Sequence, residues 1–384
     1  MVGGQGLRVQ RSTPLHEPQT EFVPDIGRNR EETQSEIALG FGDNCRAEFH
    51  GETVADIPET QQPYADLSPD RILDSLEGVG FACDGRIIAL NSYENRVYQL
   101  GQEDGGFVVA KFYRPGRWSD EGIGEEHRFA LELVEGELPI VPPVAVDGET
   151  LHHHAGHRFA VYPRQGGRWP ELGRDEDWEM LGRFIGRIHA IGATGVFAHR
   201  QSISIKRMGR EASHFVLLCD WMPPHLVQSY HAIVDRLLAA VDEAFERAEP
   251  FPRLRIHGDC HFGNVLWTDD GPHFVDLDDC VTGPAVQDLW LFLSGEREER
   301  SLQLQRLLRG YRQFHDFDYR ELHLIEALRT LRMINYTAWI ARRWEDPAFP
   351  KAFPWFVETK YWEEHVLALK EQAAALAEPG REGL

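Results

Sequence analysis

Cysteine is scarce and dispersed in this chain. The five residues, Cys45, Cys83, Cys219, Cys260 and Cys280, form no Cys-x-x-Cys pair in 384 residues. That excludes a zinc ribbon or dithiol motif and argues against a disulfide scaffold, so reduced thiols in a cytoplasmic protein are expected. Long apolar runs are missing too: nothing approaches the roughly 18 consecutive apolar residues of a membrane span. No basic stretch followed by an apolar one opens the sequence, so no secretory signal is expected. Positive charge is outnumbered, with 40 Lys and Arg against 62 Asp and Glu for a net charge of −22. Such a chain is a poor candidate for a nucleic-acid binder that works by neutralising phosphates. What is present is a 42% hydrophobic composition, enough for a sizeable core in two or three domains or lobes. There is no internal repeat.

Residues 1–62 are rich in Gly, Gln, Glu, Arg and Pro, with little apolar periodicity, and read as a disordered arm. Organised sequence begins at a helix start, with Ser68 as N-cap, Pro69 at the first helical position, and Ile72, Leu73 and Leu76 on one face. Three strand-like runs follow at 86–90, 96–100 and 107–113, separated by polar turns, and predict an antiparallel meander. The third run carries Lys111 inside an apolar strand. A surface lysine on an edge strand is one explanation. The next helix, 121–134, weakens it, because Glu126 falls on the same face as Ile123, Phe129, Ala130 and Leu133, whereas Glu125 points elsewhere. A carboxylate on a buried face needs a partner, and Lys111 is the nearest upstream cation in a strand.

An extended segment at 138–144 and two short strands near 150–153 and 158–162 complete this part. His152, His153 and His154 alternate faces on a strand and cannot all ligate one ion. Gly166 and Gly167 mark the boundary between an N-terminal lobe, 63–165, and a C-terminal lobe, 166–384. Beyond it the periodicity turns helical, at 175–192, 226–249, 285–293, 301–314, 320–341 and 361–376. The expected class is α+β: a bilobal arrangement of a small antiparallel sheet and a larger helical part.

The stretch from Ile256 to Asp279 holds the chemistry. Asp259 lies in a tight, Gly-containing loop, Asn264 follows five positions on, and Asp276 ends a short apolar run. Residues 264–267 and 273–275 read as two arms of a hairpin turned by 268–272, which brings Asn264 and Asp276 to one end beside Asp259. Two hard oxygen ligands and a carboxylate able to accept a proton suit a divalent metal, a phosphate chain and an attacking hydroxyl. Phosphoryl transfer needs these parts and also a cation for the nucleotide phosphates. Lys111, held by Glu126, would supply that cation, Asn264 and Asp276 would hold Mg2+, and Asp259 would orient the acceptor. The loop 91–95 lies where a lid over the phosphates belongs. Ser92 and main-chain N–H groups could donate there, although the loop lacks the glycines that permit close approach. Asp and Asn five apart arise by chance in many proteins. The joint order of Lys, Glu, Asp-x4-Asn and hairpin Asp is what carries weight, and kinase-like phosphotransferases share it.

The motif His257-Gly258-Asp259-x-His261-x-Gly263-Asn264, followed by Asp276, resembles the signature of the aminoglycoside phosphotransferase and choline kinase superfamily. The segments 90–99, 109–115, 257–290 and 346–355 are similar to a bacterial serine/threonine protein kinase branch of it, in one colinear run over roughly 67–376. The resemblance implies a protein-kinase-like fold, ATP as co-substrate and Mg2+ as cofactor. It further implies Asp259 as proton acceptor, Asn264 and Asp276 as metal ligands, Asp276 as an active-site residue and Ser92 as an ATP contact. A stress-response role is implied in the same way. Leu277-Asp278 stands where eukaryotic-type kinases have Phe-Gly, and no Ala-Pro-Glu follows, so control through an activation loop is not expected.

The expectation is thus a monomeric, cytoplasmic ATP-dependent protein kinase acting on serine or threonine, with no nucleic-acid or membrane partner. The alternative is a small-molecule kinase of the aminoglycoside, choline or homoserine kinase type. An acidic acceptor cleft with contributions from Glu179 or Asp288 would suit a cationic substrate in either case. A nucleotide-binding regulator without turnover conflicts with the intact Lys111, Asp259, Asn264 and Asp276. A metal phosphoesterase leaves the Lys111–Glu126 pair unexplained.

Overall fold

The computed structural model describes residues 62–377, all within one compact unit. The disorder expected of the N-terminal arm therefore lies outside the described residues, apart from position 62. The first helix, α1 (Pro69–Glu77), starts as its sequence dictates: the Ser68 hydroxyl accepts from the Arg71 N–H at 3.2 Å and Pro69 occupies the first turn. The strands β1 (Cys83–Ala89), β2 (Arg96–Gln102) and β3 (Phe107–Phe112) form the expected meander. After α2 (Asp120–Glu135) come β4 (His152–His154) and β5 (His157–Pro163), and the sheet order is β1-β2-β3-β5-β4. β3 is therefore central, paired on both sides, with Lys111 opposite Val97 and Ala160. This removes the edge-lysine explanation. Strand alternation puts Val108, Ala110 and Phe112 on the face that packs with Ile72 and Leu76 of α1, together with Phe159 and Val161. Lys111 is left on the opposite face. The three histidines do alternate, His152 being buried and His153 exposed beside Asp120.

The helical part begins with α3 (Asp175–Gly192), whose bounds match the apolar period. A six-residue π-helical segment, Lys206–Glu211, leads into α4 (Ala212–Leu218), which no periodicity announced, and α5 (Pro224–Ala248) follows. Then come β6 (Leu254–Ile256), the hairpin β7 (Val265–Thr268) and β8 (Gly271–Phe274), and β9 (Val281–Gly283). The remaining helices are α6 (Gln287–Trp290), α7 (Arg297–Tyr311), α8 (Ile325–Arg342), α9 (Ala348–Ala352) and α10 (Thr359–Ala377). α6 is far shorter than the expected 285–293, and the start of the expected 320–341 helix is a 3-10 turn, Tyr319–Leu324. Neither β9 nor α9 was foreseen. α3 lies against α7 because Gly182 and Gly186 have no Cβ to meet the Leu307 and Tyr311 backbone.

Two contacts lock the hairpin in place. The extended segment after α2 pairs with β8, Phe274 N–H donating to the Pro139 carbonyl at 2.8 Å and Val141 N–H to the Phe274 carbonyl at 3.2 Å. On the other arm Arg168 and Trp267 exchange main-chain hydrogen bonds at 2.9 Å. β6 pairs with β9, so the loop carrying Asp259 and the segment after Asp276 leave a common two-stranded platform. Among the described residues, no helix is long and apolar enough to cross a membrane.

Candidate active site

The loop after β6 is fixed from below. Gly258 has φ +85°, and a Cβ there would collide with the Asp279 carbonyl, so both conformation and space demand glycine. Under it, the buried Asp288 of α6 accepts from the His257 N–H at 2.7 Å and the Gly258 N–H at 2.8 Å, and pairs with His189 Nε2 at 3.0 Å. Gln287 Nε2 donates to the Gly258 carbonyl at 2.9 Å. His257 is fully buried with Nε2 3.0 Å from the Val275 carbonyl, so it fixes the loop to the hairpin instead of facing a ligand. The structure places Asp288 and Glu179, which the sequence left open as contributors to an acidic acceptor cleft. Asp288 is the anchor of the loop, and Glu179 engages Arg183 and Arg309 where α3 meets α7.

Asp259 emerges from this support with its carboxylate about a quarter exposed. Oδ1 is 2.8 Å from Arg332 Nη1 of α8, and Oδ2 is 3.2 Å from His261 Nε2. Burial pushes its pKa up, but Arg332 and then His261 outweigh that and hold the carboxyl well below the usual carboxylate range. The Asp259 carbonyl accepts from Asn264 Nδ2 at 3.0 Å. That bond uses the amide's donor and leaves its Oδ1 as the atom Asn264 can offer.

Lys111 lies at the other end of the cleft, its side chain only 7% exposed. Nζ is 3.2 Å from Glu126 Oε1, 3.0 Å from Asp276 Oδ1 and 3.2 Å from Asp278 Oδ1. Burial disfavours the ammonium, but Asp276, Asp278 and Glu126 together raise its pKa well above the ordinary lysine value. Glu126 is pushed up to about 6 by burial, which Lys111 only partly offsets and Asp278 reinforces. Asp278 shows the opposite balance: burial raises it, and Arg117, Lys111 and Arg200 pull it well below the usual range. Asp276 adopts the left-handed backbone region, φ 60° and ψ 70°. That conformation is uncommon for a residue with a side chain and costs on the order of 1–3 kcal/mol. Its carboxylate is 53% exposed while one oxygen touches Lys111, so the strain holds an acidic group at the cleft surface.

α2 is clamped against this segment. Glu125 does point away from Lys111, but into the protein, where it accepts from the N–H groups of Ala198, His199 and Arg200 at 2.7–2.9 Å. The buried Arg200 donates to the carbonyls of Cys280, Gly122 and Asp278, tying the start of α2 to the turn after Asp276. In the loop between β1 and β2, no hydrogen bond engages the half-buried Ser92 side chain among the described residues. Its neighbours are occupied: Glu94 is buried against Arg114, Trp339 and Arg343, and Asn95 Nδ2 donates to Asp278 Oδ2 at 3.0 Å.

Lys111, Glu126 and Asp276 thus meet at one point, and Asp259 and Asn264 adjoin through the loop they share. Sequence reasoning missed Arg332, Arg117, Arg200 and Asp278 as members of the cluster. Asp278 lies two positions after Asp276 and was the one within reach of a local pattern; the arginines come from remote elements with no periodic signal.

A profile of the phosphotransferase enzyme family matches residues 86–325. The chain is 45% identical over 316 residues to "Stress response kinase A" of Escherichia coli (strain K12), covering 82% of this chain and 95% of that protein. It is 43% identical over 316 residues to "Serine/threonine protein kinase RdoA" of Salmonella typhimurium (strain LT2), with the same coverage of 82% and 95%. Among solved structures, amicoumacin kinase hAmiN in complex with AMP-PNP, Ca2+ and Ami is similar with a TM-score of 0.63 at 17% identity, over 80% of this chain and 94% of that one. The microcompartment-associated aminopropanol kinase gives a TM-score of 0.56 at 16% identity, over 80% and 99%. At such identities the two structures speak for the fold alone.

Proposed function

The chain belongs to the phosphotransferase enzyme family, and on that premise we propose that it is an ATP-dependent serine/threonine protein kinase serving a stress response. The relative named as a serine/threonine protein kinase, at 43% identity over 82% of the chain, supports the choice of acceptor. The observation that carries the chemistry is the junction of the buried Lys111–Glu126 pair with the half-exposed Asp276. On this reading residues 63–165 handle the nucleotide, and 166–384 supply the metal ligands and the acceptor site. The protein acts as a cytoplasmic monomer.

Mg2+ is the metal this reaction implies, and the residues present fit it. The Asp276 carboxylate and the amide oxygen of Asn264 are hard oxygen donors, and the second is left over by the bond from Nδ2 to Asp259. Mg2+ bound with ATP would offset the charge on the phosphate oxygens. Lys111 would bind α- and β-phosphate oxygens, leaving Glu126 to keep the ammonium in place, and the Ser92 hydroxyl would donate to the phosphates. The acceptor oxygen forms its bond to the γ-phosphorus as the bond to the β-γ bridging oxygen breaks, and ADP departs with that electron pair. Asp259 orients the acceptor hydroxyl and takes its proton. A carboxylate held this acidic is a weak base towards an unreacted hydroxyl. In a loose transition state the hydroxyl becomes acidic only late, so orientation comes first and proton transfer follows.

Incubation with γ-labelled ATP, Mg2+ and a mixed protein pool tests the reading. Label is expected on serine and threonine of protein. Label confined to amino alcohols, sugars or antibiotics would replace the acceptor class with a small molecule and leave the phosphotransferase chemistry in place.

A further inference from the structure

We infer that Asp346, in the connection between α8 and α9, is a positioning residue that sets the Ser92 loop over the nucleotide site. Its carboxylate is 1% exposed. It receives Arg96 Nη2 at 2.7 and 2.9 Å, Arg114 Nη2 at 2.5 Å and the Ala348 N–H at 3.0 Å. Arg96 opens β2 directly after the loop 91–95, and Arg114 follows the end of β3 that pairs with it, so one carboxylate from the helical part holds both of these neighbouring strand ends.

The two guanidinium groups pass the restraint on to the loop itself. Arg96 Nη1 donates to the Tyr93 carbonyl at 3.3 Å, and Arg114 donates through Nε to the Glu94 carbonyl at 2.9 Å and through Nη2 to the Tyr93 carbonyl at 3.4 Å. Side chains complete the clasp. The Tyr93 ring packs on Phe353 with centroids 5.0 Å apart. Glu94 accepts from Trp339 Nε1 at 2.6 Å and pairs with Arg343 Nε at 2.6 Å. Asn95 accepts from the Arg114 N–H at 3.1 Å and donates to Asp278. Every residue from Tyr93 to Asn95 is therefore held from the helical side, one position after Ser92. The loop's lack of glycine takes on a physical meaning: it is set by remote charge, not by backbone freedom.

A salt bridge that merely joined two parts of the fold would end at the side chains. This one ends on the main-chain carbonyls of the loop and, through Asn95, on the carboxylate of Asp278 that also faces Lys111. Loosening it displaces the Ser92 loop and the surroundings of Lys111 together. Removing the Asp346 charge leaves Arg96 without its carboxylate and Arg114 with Glu94 alone, a local perturbation of a buried site.

The inference rests on the reading that the Ser92 loop contacts ATP, and the test separates the two. In Asp346→Asn the KM for ATP should rise about tenfold while the KM for the protein acceptor stays within about twofold, and Asp346→Glu should recover part of the loss. Ser92→Ala should also raise the KM for ATP, and the double variant should be no worse than the more impaired single one, because both act through one loop. Amide exchange at 91–96 should quicken in Asp346→Asn. Should that variant not fold, Arg96→Gln cuts the same clasp from its more exposed end and should give the same KM pattern. An ATP KM unchanged in Asp346→Asn or Arg96→Gln, with Ser92→Ala impaired, would overturn the positioning role alone. Multiplying effects in the double variant would do the same. An unimpaired Ser92→Ala would remove the loop reading and the inference with it.

Discussion

Around Lys111 the site is crowded: a buried ammonium lies within 3.2 Å of three carboxylates, the half-exposed Asp276 among them, with Arg117 and Arg200 neutralising the surplus and α2 tied down by Glu125. Around Asp259 there are fewer charges: a carboxylate about a quarter exposed meets one arginine from α8 and one histidine of its own loop, which Asp288 holds from below. On the proposed reading the nucleotide is the same in every turnover, so the Lys111 end can be over-determined. The acceptor arrives on another molecule and needs a fixed carboxylate at the Asp259 end. The Lys111–Glu126 pair is formed in the structure, and Arg200 ties the start of α2 to the turn after Asp276.

Substitutions can break this contrast. The largest loss should follow Asp259→Ala or Asp276→Ala, each lowering turnover by about 10³ or more, read as phosphate transferred per enzyme. Near-parent turnover in the first would end the role given to Asp259. Lys111→Met should come next, with transfer down about 10²-fold and stability reduced by about 1–3 kcal/mol in denaturant melts, because Glu126 and Asp278 lose one buried cation and keep Arg200 and Arg117. Unchanged melts would mean that the cluster is less tightly coupled than its distances indicate.

Arg332→Gln should have the mildest effect and the most specific one. Arg332 depresses the Asp259 pKa in the folded protein, so ionised Asp259 is retained to low pH, and the activity that depends on it is lost only as pH falls through that depressed value. Without the guanidinium the folded pKa rises, and the acid limb of kcat/KM should move up by about 1–3 units. A limb that stays put would assign it to another group.

The residues legible in the sequence were those with a local pattern. Lys111 stood out in an apolar strand, Glu126 by helical period, and Asp259, Asn264 and Asp276 by their spacing about a hairpin. The sheet, α3 and α5 were readable for the same reason. Arg332, Arg200 and Asp346 were not, since each acts across a long stretch of chain and an isolated charge carries no period. Asp346 and its partners Arg96 and Arg114 all lay in segments that drew attention only by resemblance, and none of the three was singled out. Asp288 could not be placed from the sequence, because an acidic residue near a catalytic loop can face either the cleft or the loop's own N–H groups. β9 is three residues long, and the segment 206–218 mixes Gly, Ser, His and Arg with its apolar positions, so neither showed a usable period.

The division of labour between the two ends is the central claim, and titration of Mg2+·ATP into Asp259→Ala and Asp276→Ala tests it most directly. The account predicts that Asp259→Ala binds with a Kd within about twofold of the parent, although transfer is lost, and that Asp276→Ala binds at least about tenfold more weakly. Equal weakening in both variants, or parent-like binding in Asp276→Ala, would contradict it.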